Sequence, residues 1–169
     1  MLFKTAIYSG LTFYDITQSA KTIELEDETI KRKIDKFLEP NKERTIEELI
    51  KEALSITSET LEFSRKSASI NPNELRTTRK THCVGYASLS NSIINYGLKK
   101  MDKSEYKSTH WRGKIYLLGI ELTNKSDDSF FKDHDFVEIT NPSENVRLRI
   151  DPSLYEFTRI GIMNIKYSK

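Results

Sequence analysis

The chain has 169 residues, 37% of them hydrophobic and 31% charged, which suits one compact domain able to bury a core without staples. Lysines and arginines total 27 against 25 acidic residues, a balance that gives no field arguing for nucleic acid or a membrane surface. A single cysteine excludes an internal disulfide and the paired cysteine patterns of zinc ribbons. The fold is therefore independent of an oxidising compartment, and a cytoplasmic setting is favoured.

The opening "MLFKTAIYSGLTFYDI" is apolar in part, but Ser9, Gly10, Thr12 and Asp15 interrupt what would have to be a signal-peptide core. No stretch approaches the roughly 20 apolar residues of a membrane span. Residues 1–70 read as a helical N-terminal part. In "EDETIKRKIDKFLEP", Ile30, Ile34, Phe37 and Leu38 fall at helical spacing, and Pro40 closes the segment. In the next segment Thr45 and Glu48 have the spacing of a capping box, and the stripe of Ile46, Leu49, Ile50, Ala53 and Leu54 runs on to Leu61. "SASINPNELRTTRK" reads as a connector, with Asn71, Pro72 and Asn73 as turn residues.

"THCVGYASLSNSIINYGLKK" predicts a helix with Thr81 as N-cap and Gly97 in the left-handed position that ends it. Cys83 then lies in its first turn. Tyr86, Leu89, Ile93 and Tyr96 read as core, and Gly85, Ala87, Ser88, Ser90 and Ser92 as small residues that let the helix approach a sheet. His110 and Trp111 precede a strand and read as surface or core-edge residues.

From residue 114 the period changes to two. "KIYLLGIELT", "DHDFVEIT", "VRLRID" and "RIGIMNIKY" predict strands, with "NKSDDSFFKD" as a surface loop. Helices before strands predict an α+β fold, the helices packed on an antiparallel sheet. The turn sequence "NPSE" predicts a hairpin that pairs Thr140 with Asn145, Glu138 with Arg147, Phe136 with Arg149 and His134 with Asp151. His134 and Asp151 would then form an oriented base. A thiol at a helix N-terminus beside a protonated imidazole is activated as a nucleophile, so Cys83, His134 and Asp151 are the candidate catalytic residues.

"HCVGYASL", "DHDFVEI" and "IDPS" in that order resemble the transglutaminase-like superfamily of papain-type cysteine enzymes. That family has a cysteine opening a helix with a C-x-x-[YF]-A pattern, here Cys83, Tyr86 and Ala87. Its His-x-[WF]-V-E strand is matched by His134, Phe136, Val137 and Glu138, and its Asp-Pro-[TS] strand end by Asp151, Pro152 and Ser153. "IINYGL" resembles the end of the family's cysteine helix. The likeness covers about residues 71–155, with Thr81 where a glycine is usual and Phe136 where tryptophan is.

The resemblance implies a single domain over residues 1–169, its catalytic core in 71–169 and folded like papain. It also implies a thioester on Cys83, and hydrolysis or transfer of an amide acyl group on a peptide or protein substrate. The oxyanion donors would be the Cys83 backbone N–H and, upstream, the Asn73 side chain. The competing reading is a catalytically inactive domain of the same fold that binds a peptide or protein partner in its cleft. No cofactor, metal or nucleic acid is called for. His82 and Cys83 point about 100° apart on a helix and are poorly placed to share a zinc ion with His134 and Asp151, and Asp127 and Asp128 lack EF-hand spacing.

Overall fold

A computed structural model describes residues 11–19, 21–39, 43–66, 69–117, 120–121, 133–159 and 162–165. The chain order is β1 (Leu11–Gln18), α1 (Glu28–Phe37), α2 (Ile46–Thr60), β2 (Glu62–Phe63), α3 (Pro72–Thr78), β3 (Lys80–Thr81) and α4 (Cys83–Lys100). It continues with β4 (Lys107–Leu117), β5 (Ile120–Glu121), β6 (His134–Asn141), β7 (Val146–Ile150), α5 (Pro152–Thr158) and β8 (Ile162–Ile165). The large sheet is antiparallel in the order β1-β4-β6-β7-β8, with β5 on β4, while β2 and β3 form a short parallel pair. This is the expected α+β arrangement of helices on an antiparallel sheet.

Strand alternation divides the sheet into two faces. Val137, Ile139, Leu148 and Ile150 bury themselves with Ile30 and Ile34 of α1, Leu49, Ile50 and Leu54 of α2, and Tyr86, Leu89 and Ile93 of α4. On the other face Phe136 is buried against Ile16, Trp111, Ile115 and Leu154. α1 starts on Asp27, whose carboxylate accepts from Thr29 and Ile30, and α2 starts on the capping box of Thr45 and Glu48. Both match the sequence periodicity.

Several expectations need correcting. The part expected to be helical also supplies β1, which pairs with β4. The presumed connector contains α3, started by Asn71, whose side chain accepts from Asn73 N–H, with Pro72 in the first turn. β4 begins at Lys107, so His110 and Trp111 lie within a strand. Thr81 is a fully buried strand residue rather than a cap; His82 takes the N-cap position, though its side chain makes no capping bond. Gly97 does not end α4, which runs on to Lys100; a Cβ on it would stand 2.3 Å from Leu49 Cδ1, so it serves the close packing of α4 on α2. The small serines of α4 face other neighbours than the sheet: Ser88 donates to Ile70 O, Ser92 to Ile23 O, and Ser90 bonds Thr57 of α2. Beside the apolar residues of α4, Asn91 and Asn95 reach the sheet, both bonded to Ser108 of β4. The loop expected over residues 124–133 lies outside the described residues except for Asp133, and takes Asp127 and Asp128 with it.

The β6–β7 hairpin has the expected face assignment in a register displaced by two. Asn141 pairs with Val146, Thr140 with Arg147, Ile139 with Leu148, Glu138 with Arg149 and Val137 with Ile150. The turn sets this register. Asn141 Oδ1 accepts from the N–H groups of Ser143 and Glu144, and Asn145, at φ 56°, closes the loop in the left-handed region that asparagine tolerates. A shift of two preserves which side chains face the core.

Candidate active site

Cys83 is the first residue of α4, so its N–H and that of Val84 have no acceptor within the helix. β3, paired to β2, delivers the chain to this point, with Glu62 N–H bonded to Arg79 O and Ser64 N–H to Thr81 O. The start of α4 is fixed from behind by Thr81, which packs so tightly on Gly85 that any side chain there would collide with it.

His134 opens β6 and Asp151 follows β7 as the N-cap of α5. The pairing that brings them together is diagonal rather than direct, because the ladder ends at Val137 and Ile150. The contact expected from the sequence nevertheless forms: His134 Nε2 lies 2.5 Å from Asp151 Oδ2. Asp151 Oδ1 is occupied separately, accepting from the N–H groups of Ser153 at 3.1 Å and Leu154 at 3.0 Å and from Ser153 Oγ at 2.7 Å. With Nε2 on the carboxylate, Nδ1 is the imidazole nitrogen left for the thiol.

The charges follow from these contacts. Burial alone would push the Cys83 thiol up, but hydrogen bonds from His134 and His82, the positive charge of His134 and the Asp135 N–H bring it down to about 7. Burial disfavours charge on His134 as well, yet the Asp151 carboxylate and the bond to it hold the imidazole well above its ordinary value, with Cys83 adding to the effect. Asp151 is fully buried, which opposes ionisation; His134, the Leu154 N–H and Ser153 hold it below the usual carboxylate range. His134 is thus bonded to Asp151, and it and Cys83 shift each other's titration.

Three neighbours differ from expectation. His82 does not point away from Cys83: its extended N-cap backbone lies outside the helix, and its Nδ1 stands 3.7 Å from the sulfur. His110 is buried, 1% exposed, and its Nε2 lies 2.8 Å from Asp135 Oδ1. Asn73 is no oxyanion donor, since its side chain donates to Glu24 O and accepts from Glu26 N–H, fastening the segment before α1.

Asp135 was missed by the sequence reading. It sits beside His134 but on the other face of β6, where its Oδ2 is 3.8 Å from Cys83 Sγ. The strand pattern could have found it, because Asp135 falls on the apolar face shared with Val137 and Ile139, where a carboxylate needs a partner. Among the described residues no group of three or more histidine, cysteine or acidic side chains is arranged to hold a metal ion. No helix among them is long and apolar enough to cross a membrane. Comparison with known protein families, curated proteins and solved structures gives no match.

Proposed function

We propose that this chain is a transglutaminase-like cysteine hydrolase, a peptidase or amidase with a papain-like core. The observation that carries the reading is His134, bonded through Nε2 to a buried Asp151 and placed so that its charge holds down the thiol at the start of a helix. The order of cysteine helix, histidine strand and aspartate strand end, on an antiparallel sheet, supports the same assignment.

In this mechanism the Cys83 thiolate attacks the carbonyl carbon of an amide, and the oxygen takes the negative charge beside the free N–H groups that open α4. Collapse of the tetrahedral species breaks the C–N bond, and imidazolium His134 gives its proton to the leaving amine. The resulting thioester is attacked by water, whose proton passes to His134, and the acid is released with the thiol restored. An amine in place of water would make the product a new amide. Asp151 holds the imidazole in one orientation throughout. Nothing in these steps draws on a cofactor.

The test is the pH dependence of Cys83 alkylation by iodoacetamide, read by intact mass in the wild type and in His134→Ala. Each added mass reports the only cysteine in the chain. Labelling with a midpoint near 7 that moves to the ordinary thiol range in His134→Ala is the expected result. Midpoints near 8.5 in both proteins would overturn the reading. A glutamine-containing peptide, offered with and without a primary amine, then separates hydrolysis from acyl transfer. The 6% exposure of Cys83 favours the second reading, a cleft that binds a peptide or protein partner without turnover; a thiol that never labels would support it.

A further inference from the structure

Asp135 is a buried carboxylate, 4% exposed, that the mechanism above does not use. Its Oδ1 accepts from Ser19 Oγ at 2.6 Å and lies 2.8 Å from His110 Nε2. Its Oδ2 faces Arg112 Nε at 3.7 Å and the Cys83 sulfur at 3.8 Å. These partners come from three places. Ser19 follows β1, Arg112 stands directly across the β4–β6 ladder, and His110 lies one diagonal step further along β4. A carboxylate so heavily fastened cannot turn away from the sulfur.

We propose that Asp135 is a positioning residue for Cys83: it accepts the S–H of the resting thiol and opposes its ionisation until the sulfur turns to His134. The proposal rests on the Cys83–His134–Asp151 reading. Two arguments carry it. A thiol can donate to a carboxylate, whereas a thiolate cannot, so the contact at Oδ2 favours the protonated sulfur. At under 4 Å and in a buried setting, the repulsion between a thiolate and a carboxylate is far stronger than in water. His134, on the other face of β6, acts in the opposite sense.

The sulfur therefore sits between a carboxylate that keeps its proton and an imidazole that removes it. The charged and titratable groups around it are His82 at the head of α4, His134 and Asp135 on β6, His110 and Arg112 on β4, and Asp151 behind His134. Arg112 and His110 temper the Asp135 charge, and burial of Asp135 is more than offset by its bonds to His110 and Ser19, which keep it ionised. The same geometry gives the substrate a role. A carbonyl entering on the His134 side draws the sulfur off Asp135 and into the ion pair.

The experiment is the same alkylation profile, taken for the wild type, His134→Ala, Asp135→Asn and Arg112→Gln, with folding followed by circular dichroism. Asparagine keeps the shape and removes the charge, so the Asp135→Asn midpoint is expected to fall by about one pH unit, giving up to tenfold faster labelling below it. Arg112 is 45% exposed and its replacement is tolerated by the fold on that ground; losing the cation leaves Asp135 less balanced and is expected to slow labelling below the midpoint about twofold or more. If Asp135→Asn does not fold, Arg112→Gln decides alone. A wild-type profile that depends on His134, with both other variants unchanged, overturns the role of Asp135 and leaves the triad standing. A wild type whose labelling ignores His134 overturns the triad, and the proposal with it.

Discussion

Gly85, two residues into the cysteine helix, lies directly against Thr81: a Cβ built on it would stand 2.2 Å from Thr81 Oγ1 and 2.6 Å from Cγ2. Thr81 is fully buried and β-branched, so it cannot swing aside. Alanine is the better helix former by about 1 kcal/mol, and overpacking costs about 1–3 kcal/mol. Gly85→Ala is therefore expected to destabilise the fold in urea titrations. Adding Thr81→Ala should recover part of the loss, whereas an additive double variant would show that the two do not share the space.

The hairpin register predicts unequal arginines. Glu138 is buried and accepts from Arg149 Nε at 2.7 Å, while Arg147 is 58% exposed and 3.7 Å away. Arg149→Ala leaves a buried carboxylate short of its main partner and is expected to cost about 3 kcal/mol; Arg147→Ala is expected to cost under about 1 kcal/mol. Equal losses in denaturant melts, or the reverse order, would favour the register in which Arg147 opposes Glu138.

Stability should follow the His134–Asp151 pair across pH. The Asp151 value is depressed, so its contribution is present above the ordinary 3.8 and is lost as pH falls through the depressed value. The His134 value is raised, so its contribution is complete below 6.5 and is lost as pH rises through the raised value. Both operate between about pH 4 and 6.5. In a Cys83→Ala background, where the thiol no longer titrates, the difference between Asp151 and Asp151→Asn proteins is expected to peak in that window at about 3 kcal/mol and to shrink on either side. A difference that stays flat from pH 3 to 9 would mean the pair is not ionic.

Thr45 accepts from Glu48 N–H at 3.2 Å while the Glu48 side chain accepts from Thr45 N–H at 2.9 Å. Thr45→Ala removes one half of this reciprocal cap and is expected to lower stability by about 1 kcal/mol. Thr45→Ser should be nearly silent, and a loss as large as that of alanine would place the effect in methyl packing instead.

Local signals in the sequence were read best. The helix over Glu28–Phe37 follows from period and that over Ile46–Thr60 from period and cap, because both signals act within a few residues. The hairpin illustrates the limit. Alternation placed Glu138, Val137 and Ile139 on their proper faces, but the register depended on Asn141 turning its own side chain onto Ser143 and Glu144, a choice between two similar turns that pattern alone does not make. β1 was overlooked because its partner lies about a hundred residues away in the chain. Gly97 was misread because its reason is Leu49, a neighbour on another helix.

The site shows the same division. Cys83, His134 and Asp151 could be named from short motifs and from the chemistry of their side chains. The strand pattern marks Asp135 as a carboxylate on an apolar face, but its partners and those of His110 lie in a contact between two strands and the head of a helix that no short motif carries. His82 was misplaced by treating it as helical, when its extended backbone turns the ring back towards the sulfur.

Asp151 divides its work between its two oxygens, Oδ1 on the first turn of α5 and Oδ2 on His134. One carboxyl thereby ties the setting of the imidazole to the closing of a seven-residue helix near the end of the described chain. During synthesis the cysteine emerges long before this corner can form. A chain in which this corner has opened therefore loses the hold on His134 and the cap of α5 together.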